Sequence, residues 1–310
     1  MRLHLTVGTR SSQLALWQAQ WVATLIRRTG HAAELRTIES YGDVVTDRPL
    51  AEIGTELVGK GVFTKALDDA LSEGQIDLAV HSYKDVPTQL PEGLKLAALL
   101  PREDPHDVLV CRAGAGFLAQ PTYPAVVATG STRRQAAWRH RYPNHQVVDL
   151  RGNVQTRLKK LYEGTWDGAI FAAAGLRRLG LFEPSQPVLT WLLPAPAQGA
   201  IAIVCRAADH PVADALAHLN DGPTAAATLA ERTVLRVLEG GCSAPVGALA
   251  EAQGTELRLR AEVYSPDGQQ RLQAEATGPA EAPQALGTQV AQALLAQGAA
   301  ALVTQSRHRA

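Results

Sequence analysis

The sequence predicts an α/β protein built as two α/β domains followed by a smaller C-terminal α+β domain, and three observations carry this. Over the first two thirds, short apolar runs alternate with amphipathic helical patterns, the signature of βαβ units and a mainly parallel sheet. The alternation starts afresh after the stretch PREDP, residues 101–105. From about Asn220 the texture changes to an Ala-rich helix, two alternating strands and a last helix. A chain of 310 residues, 46% of them hydrophobic, can bury a large core, and that length favours two or three domains over one. The boundaries read as 1–100 plus 197–218, 101–196, and 219–310.

Each element follows from its pattern. LHLTVGT reads as a strand, and the next segment sets Leu14, Trp17, Trp21, Val22 and Leu25 at helical spacing. Ser11 or Ser12 serves as its N-cap and Gly30 as its stop. Strand AELRTIE, helix VFTKALDDALSEG, and strands IDLAVHS and LKLAALL complete the first unit. The second holds strands DVLVCR and AVVATGS, a helix from about Thr132 to Arg141, strand QVVDL, helix VQTRLKKLYEG and the run GAIFAAAGL. A Pro-rich segment and strand follow in LTWLLPAPAQGAIAIVCR, and that strand is expected to return to the first unit. Last come the helix TAAATLAERTVLRVLE, strands ELRLRAEVYS and QQRLQAEATG joined across Pro-Asp-Gly, and one final helix from Pro283.

Thirty basic residues balance thirty acidic ones, so no global field holds the chain on nucleic acid or an anionic membrane. No stretch approaches the roughly 18 apolar residues of a membrane span, and the start lacks a continuous apolar leader. These features predict a cytoplasmic monomer without nucleic-acid or membrane partners. Three scattered cysteines without CxxC spacing argue against a disulfide framework, and the histidines form no HxxxH or HxH cluster, so no protein-built metal site is expected.

Cys111 and Cys205 end apolar runs and read as small core hydrophobes. Cys242 differs: in EGGCSAPVG it follows a helix ending at Gly240 and Gly241, so it lies on a loop. A thiol just past a helix C-terminus meets partial negative charge, which disfavours the thiolate. That suits a thiol that traps a strong electrophile once better than it suits a hydrolytic nucleophile, and no histidine follows Cys242 until His308. A second cluster is AVHSYKDVP, where an apolar strand runs into His81, Ser82, Lys84 and Asp85, the place where open α/β sheets bind ligands. A third theme recurs at strand-to-helix junctions: Arg10 in GTRSS, Arg133 and Arg134 in GSTRRQ, and Arg151 and Arg157 in LRGNVQTR. Three such junctions, with Ser, Thr or Asn beside Arg, point to a cleft gripping several carboxylates or phosphates. Gly59 and Gly61 flank Lys60 in a loop suited to close over a ligand.

Eight ordered motifs, TRSSQLALWQA, GKGVFTK, DLAVHSYKDVP, GSTRRQ, LRGNVQTRLKKL, AGLRRLG, PAPAQGA and LEGGCSAPVG, resemble the hydroxymethylbilane synthase (porphobilinogen deaminase) family over nearly the whole chain. The resemblance implies two domains like those of a type II periplasmic binding protein, and a third carrying the cysteine loop. It implies a transferase of porphyrin (haem and other tetrapyrrole) biosynthesis. Four porphobilinogen molecules are joined head to tail, each losing ammonia, and hydroxymethylbilane is released. It also implies a dipyrromethane cofactor fixed by a thioether to Cys242, with no metal.

By the same resemblance Asp85 is the catalytic aspartate. Ser82, Lys84, Thr129, Ser131, Arg133 and Arg134 would bind the cofactor carboxylates. Arg10, Ser12, Arg151, Arg157 and Arg178 would hold substrate or growing chain, Phe63 would stack on a pyrrole, and Lys60 would belong to a lid. The chemistry agrees with the junctions, because each pyrrole carries an acetate and a propionate. Loss of ammonia also leaves a cationic methylene-pyrrolenine, for which one carboxyl group can serve as acid and then counter-charge. The chain departs from the family pattern at Glu52, at the inserted 55–58, at Tyr83 where methionine is expected, and at Ala197 where glycine is usual. The alternative is a non-catalytic two-lobed dicarboxylate-binding protein, which explains the arginines but not Cys242.

Overall fold

The computed structural model describes residues 2–39, 64–120, 122–241 and 244–309, with side chains to Ser306. It forms two compact units, residues 1–103 with 199–225, and residues 104–198 with 226–310. In the first unit, β1 (His4–Thr9), β2 (Ala32–Thr37), β3 (Leu78–Ser82), β4 (Leu94–Leu99) and β9 (Ile201–Arg206) make a sheet of order β2-β1-β3-β9-β4. β1 runs parallel to β2 and β3, while β9 runs antiparallel to both β3 and β4. The strand after the Pro-rich segment therefore does return to the first sheet.

Strand alternation gives this sheet two apolar faces. Leu5, Val7, Leu78, Val80, Ile201 and Ile203 pack on Ala19, Val22, Ala23 and Ile26 of α1 (Gln13–Arg28). Ala79 and Val204 face Leu67 and Leu71 of α2 (Lys65–Ser72). The Ser12 hydroxyl caps α1 by accepting from the Ala15 N–H at 3.3 Å, and Gly30, at φ +90°, ends it just after Thr29. Where the chain re-enters this unit, Gly199 is obligatory: its φ is +92° and a Cβ would collide with the Glu103 carbonyl.

The second unit holds two sheets. β5 (Asp107–Cys111), β6 (Val126–Ala128), β7 (Gln146–Val148) and β8 (Gly168–Ala172) have the order β5-β8-β6-β7, with β6 parallel to β7 and β8. The helices α3 (Thr132–Arg141), α4 (Val154–Glu163) and α5 (Ala173–Arg178) follow β6, β7 and β8 in turn. The other sheet is the antiparallel β10 (Val246–Gln253), β11 (Glu256–Tyr264) and β12 (Arg271–Pro279). One face, with Leu257, Leu259 and Val263, packs on α7 (Gly222–Val237) and α8 (Pro283–Ala296) through Val234, Leu238, Val290 and Leu294. The opposite face carries cross-strand ion pairs, Arg260–Glu251 and Arg258–Glu275, both at 2.8 Å. No single helix among the described residues is long and apolar enough to cross a membrane.

The structure departs from the sequence expectation at four elements. β10 and α6 (His210–Ala217) are absent from the sequence reading, since VGALAEAQ and HPVADALA carry weak periodicity of either kind. The final helix is two: Gly298, at φ +100°, breaks it before α9 (Ala299–Arg309). The stop of α7 also differs. The left-handed residue is Glu239, at φ +50°, with its N–H on the Arg236 carbonyl and that of Gly240 on the Leu235 carbonyl, a Schellman cap around a non-glycine residue. Gly240 is needed instead for closeness, since a Cβ there would lie 2.7 Å from Leu235 Cδ1.

Opposite outcomes are expected for the two neighbours. Glu239→Gly relieves left-handed strain and raises stability by about 1 kcal/mol, whereas Gly240→Ala lowers it by ~1–3 kcal/mol through overpacking. Urea unfolding midpoints of the two variants against the parent check both signs.

Candidate functional site at the carboxyl edges of the sheets

In the first unit, β1 and β3 are parallel neighbours from which the chain departs to opposite sides, so their carboxyl ends form a topological switch point. Arg10 and Ser12 follow β1; Ser82 closes β3, and Tyr83–Asp85 make a single 3-10 turn immediately after it. The Gln18 amide on α1 donates to the Ser82 hydroxyl at 3.0 Å, which ties helix to strand at this edge. The Tyr83 N–H donates to the Ala200 carbonyl at 3.0 Å and fixes the turn to the end of the segment entering β9. Tyr83 is buried, while Ser82, Lys84 and Asp85 are half-buried. His81 is 5% exposed, and its Nε2 meets no hydrogen-bond partner among the described residues. Burial, and then the charge of Arg10, press its imidazole down to about 4, so it is neutral at physiological pH.

The second unit repeats the arrangement. Between β6 and α3, the Thr129 hydroxyl accepts from the Ser131 N–H at 3.3 Å, and the Ser131 hydroxyl caps the helix toward the Arg134 N–H. Gly130 admits the next loop, since a Cβ there would come within 2.7 Å of the Leu150 carbonyl oxygen. After β7, Arg151 pairs with Asp149 at 3.4 Å, Gly152 turns the chain at φ +114°, and the Asn153 side chain caps α4 through the Thr156 N–H. The Arg157 guanidinium lies 5.1 Å from the Phe171 ring centroid, a cation–π contact that fixes its heading. Arg178 closes α5 and is half-buried. Thr129, Ser131 and Arg151 are thus brought to one carboxyl edge, and Ser82, Lys84, Asp85, Arg10 and Ser12 to another.

Arg133 and Arg134 differ from the expectation of two open anion hooks. Both side chains are buried, and both donate to one carboxylate: Arg133 Nη2 to Asp107 Oδ2 at 2.7 Å and Arg134 Nη2 to Asp107 Oδ1 at 2.6 Å. Their Nη1 atoms donate to the carbonyls of Leu193 and Ile170. Only Nε of each is left without a partner. Asp107 is wholly buried and also accepts from the Gln198 amide at 2.8 Å. Burial alone would raise its carboxyl, but the two guanidiniums hold it well below the ordinary carboxylate range. Asp107, Gln198 and Gln18 went unread in the sequence. The signal for Asp107 was a lone charge heading the buried run DVLVC, which demands a paired partner.

Cys205 sits in the core and Cys111 is partly buried, and burial pushes the Cys111 thiol up to about 11 and the Cys205 thiol up as well. Neither is poised as a thiolate. Cys242, Lys60 and Phe63, with Glu52 and residues 55–58, lie outside the described residues.

Each of the two α/β units presents hydroxyl and arginine side chains at the carboxyl ends of its strands, where open α/β sheets bind ligands. Comparison with known proteins is specific. Residues 5–214 match the porphobilinogen deaminase dipyrromethane cofactor binding domain, and residues 225–296 match the porphobilinogen deaminase C-terminal domain. Porphobilinogen deaminase of Pelobacter propionicus is 43% identical over 309 residues, covering 98% of both chains. That of Acidithiobacillus ferrooxidans is 46% identical over 310 residues, again covering 98% of both. Among solved structures, the periplasmic VFT2 domain of Bordetella pertussis BvgS matches at TM-score 0.40 and 14% identity, over 69% of this chain and 85% of its own. The chain belongs to the porphobilinogen deaminase family.

Two outcomes follow from the buried groups. Asp107→Asn leaves two guanidiniums without a counter-charge and costs ~3–5 kcal/mol by chemical denaturation. Because the folded Asp107 carboxyl ionises below its unfolded value of 3.8, its contribution is present above about pH 4 and lost as pH falls further. The acid limb of the stability profile flattens in the variant. For His81, folding lowers the pKa from 6.5 to about 4, so its contribution is complete above 6.5 and lost as pH falls through 4. Its C2–H proton resonance should therefore stay constant from about pH 8 to about pH 5.5.

Proposed function

We propose that this chain is a hydroxymethylbilane synthase: it condenses four porphobilinogen molecules head to tail with loss of ammonia, on a covalently held dipyrromethane, and releases the linear tetrapyrrole. The observation that carries this is the pair of family matches spanning residues 5–214 and 225–296, supported by relatives matched end to end. The residue roles are those the family resemblance implies. By the LEGGCSAPVG motif, attachment falls to Cys242.

The donors of the second unit suit the acetate and propionate groups of such a cofactor. The hydroxyls of Thr129 and Ser131 stand at the N-terminal end of α3, where peptide N–H groups and the helix dipole favour an anion. The buried Nε atoms of Arg133 and Arg134 supply two further donors without partners among the described residues. These four residues, with Ser82 and Lys84, would hold the cofactor; when bound, it supplies a fixed primer to which the first porphobilinogen is joined. For Arg133 and Arg134 the role narrows from a bidentate fork to a single Nε contact plus charge.

Asp85 acts on the incoming unit. Standing on a turn at the switch point, its carboxyl gives a proton to the departing amine, and its carboxylate then faces the positive charge that develops on the pyrrole. Arg10, Ser12, Arg151, Arg157 and Arg178 would bind carboxylates of substrate and growing chain, Phe63 would stack on a pyrrole, and Lys60 would belong to a lid. The chain works as a cytoplasmic monomer of three domains, with the boundaries the sequence predicts.

Intact-mass measurement tests the tether: the purified protein exceeds its sequence mass by two pyrrole units, and Cys242→Ala removes both the excess and sustained synthesis. Asp85→Asn keeps the mass excess while turnover falls about 10²–10⁴-fold, because the amide carries neither proton nor charge. A sequence mass that stays unchanged after incubation with porphobilinogen would overturn the assignment.

A further inference from the structure

A second candidate site lies in the second unit, at the opposite end of α3 from Ser131. A cavity of about 700 Å³ opens between the last turn of α3, the segment at Trp191, and the outer face of β11 and β12, within the size range of small-molecule sites. Ten residues of helix place it roughly 15 Å from the α3 N-terminus. Three arginines reach it, and their pairing is unequal. Arg271 is committed to Glu262 at 2.9 Å and Arg260 to Glu251 at 2.8 Å, while Glu275 is neutralised by Arg258. Arg141 has no carboxylate partner among the described residues. Its guanidinium lies 4.9 Å from the Trp191 ring centroid and donates from Nε to the Tyr142 hydroxyl at 3.4 Å. Arg260 Nε, also on the wall, is buried without an acceptor.

We propose that this cavity binds a carboxylated aromatic ring, with Arg141 as the anion partner and the half-buried Trp191 indole as the apolar surface. The assignment follows from what each wall lacks. A guanidinium stacked on an indole keeps its in-plane N–H groups for a carboxylate, because stacking occupies only its face. The surplus positive charge calls for one anion, and the Trp191 indole on the lining favours a ring over a flexible aliphatic acid. The volume exceeds what a single ring needs, so a ligand of two rings is also admitted. The site is independent of the proposed catalytic reading, since none of its residues is assigned a role in condensation.

The test uses pyrrole-2-carboxylate and benzoate as probes, with pyrrole and acetate as controls. The readout is the Trp191 indole N–H resonance, assigned by its loss in Trp191→Phe. Saturable shifts with both carboxylated rings, weaker by at least about tenfold in Arg141→Gln and absent with pyrrole or acetate, are expected. Arg141→Gln should turn over porphobilinogen at the parent rate without probe, so failure of the catalytic reading would show separately. If Arg141→Gln melts lower than the parent, Arg141→Lys, which keeps the charge but loses the planar fork, takes its place with the same expected weakening. The proposal is overturned if no saturable shift occurs, if neither Arg141 variant weakens it, or if acetate alone reproduces it.

Discussion

The second unit depends on one buried carboxylate. Asp107 opens β5 and takes a hydrogen bond from each of Arg133 and Arg134 on α3 and from Gln198 at the end of the Pro-rich segment. Ionic groups this deep are tolerable only when each is paired and hydrogen-bonded, and their mutual dependence removes positional freedom from all of them. Strand, helix N-terminus and segment end are thereby held in register at the edge where the cofactor carboxylates are proposed to lie. The same pairing explains how two adjacent arginines sit in the first turn of a helix, where the dipole disfavours cations: their charge is answered inside the protein.

Two buried glutamates extend this logic along the Pro-rich segment. Glu262 on β11 accepts from the Leu193 N–H at 3.1 Å, and Glu231 on α7 accepts from the N–H groups of Ala197 at 2.7 Å and Ala250 at 2.9 Å. Backbone groups beside Pro194 and Pro196 do not join a regular ladder, so side-chain acceptors satisfy them instead. Ala197 is held at φ +65° within this network and is fully buried. Its left-handed backbone is held by the Glu231 bond, which fixes the N–H in that orientation. The Pro-rich segment is thus tied to the C-terminal sheet and α7 by directed hydrogen bonds, which specify position more narrowly than an apolar contact of equal area would.

Much of the fold was legible because it rests on local periodicity. The Thr132–Arg141 helix has the observed bounds, and the strands at Leu5, Leu78 and Leu109 read directly from apolar runs. β10 was not legible, because its alternating Ala and Gly give too weak a signal until β11 pairs with it. The site was legible as a set of junctions: Arg10, Ser82, Asp85, Thr129, Ser131 and Arg151 all fall at strand ends, as their sequence positions require. Which atoms each side chain presents was not legible, since that depends on partners dozens of residues away.

The sequence by itself determined the α/β class, the junctions that carry polar chemistry and the motifs of the family, because these follow from near-neighbour spacing and residue type. Only the tertiary structure decided that Arg133 and Arg134 turn inward to Asp107, that Glu239 and not a glycine takes the left-handed cap, and that Arg141 lies over Trp191 with no carboxylate partner among the described residues. Each of these is settled by competition for a partner across the fold. A guanidinium goes to whichever carboxylate burial brings nearest, and a helix stops where the chain can turn left-handed and still satisfy its last carbonyls.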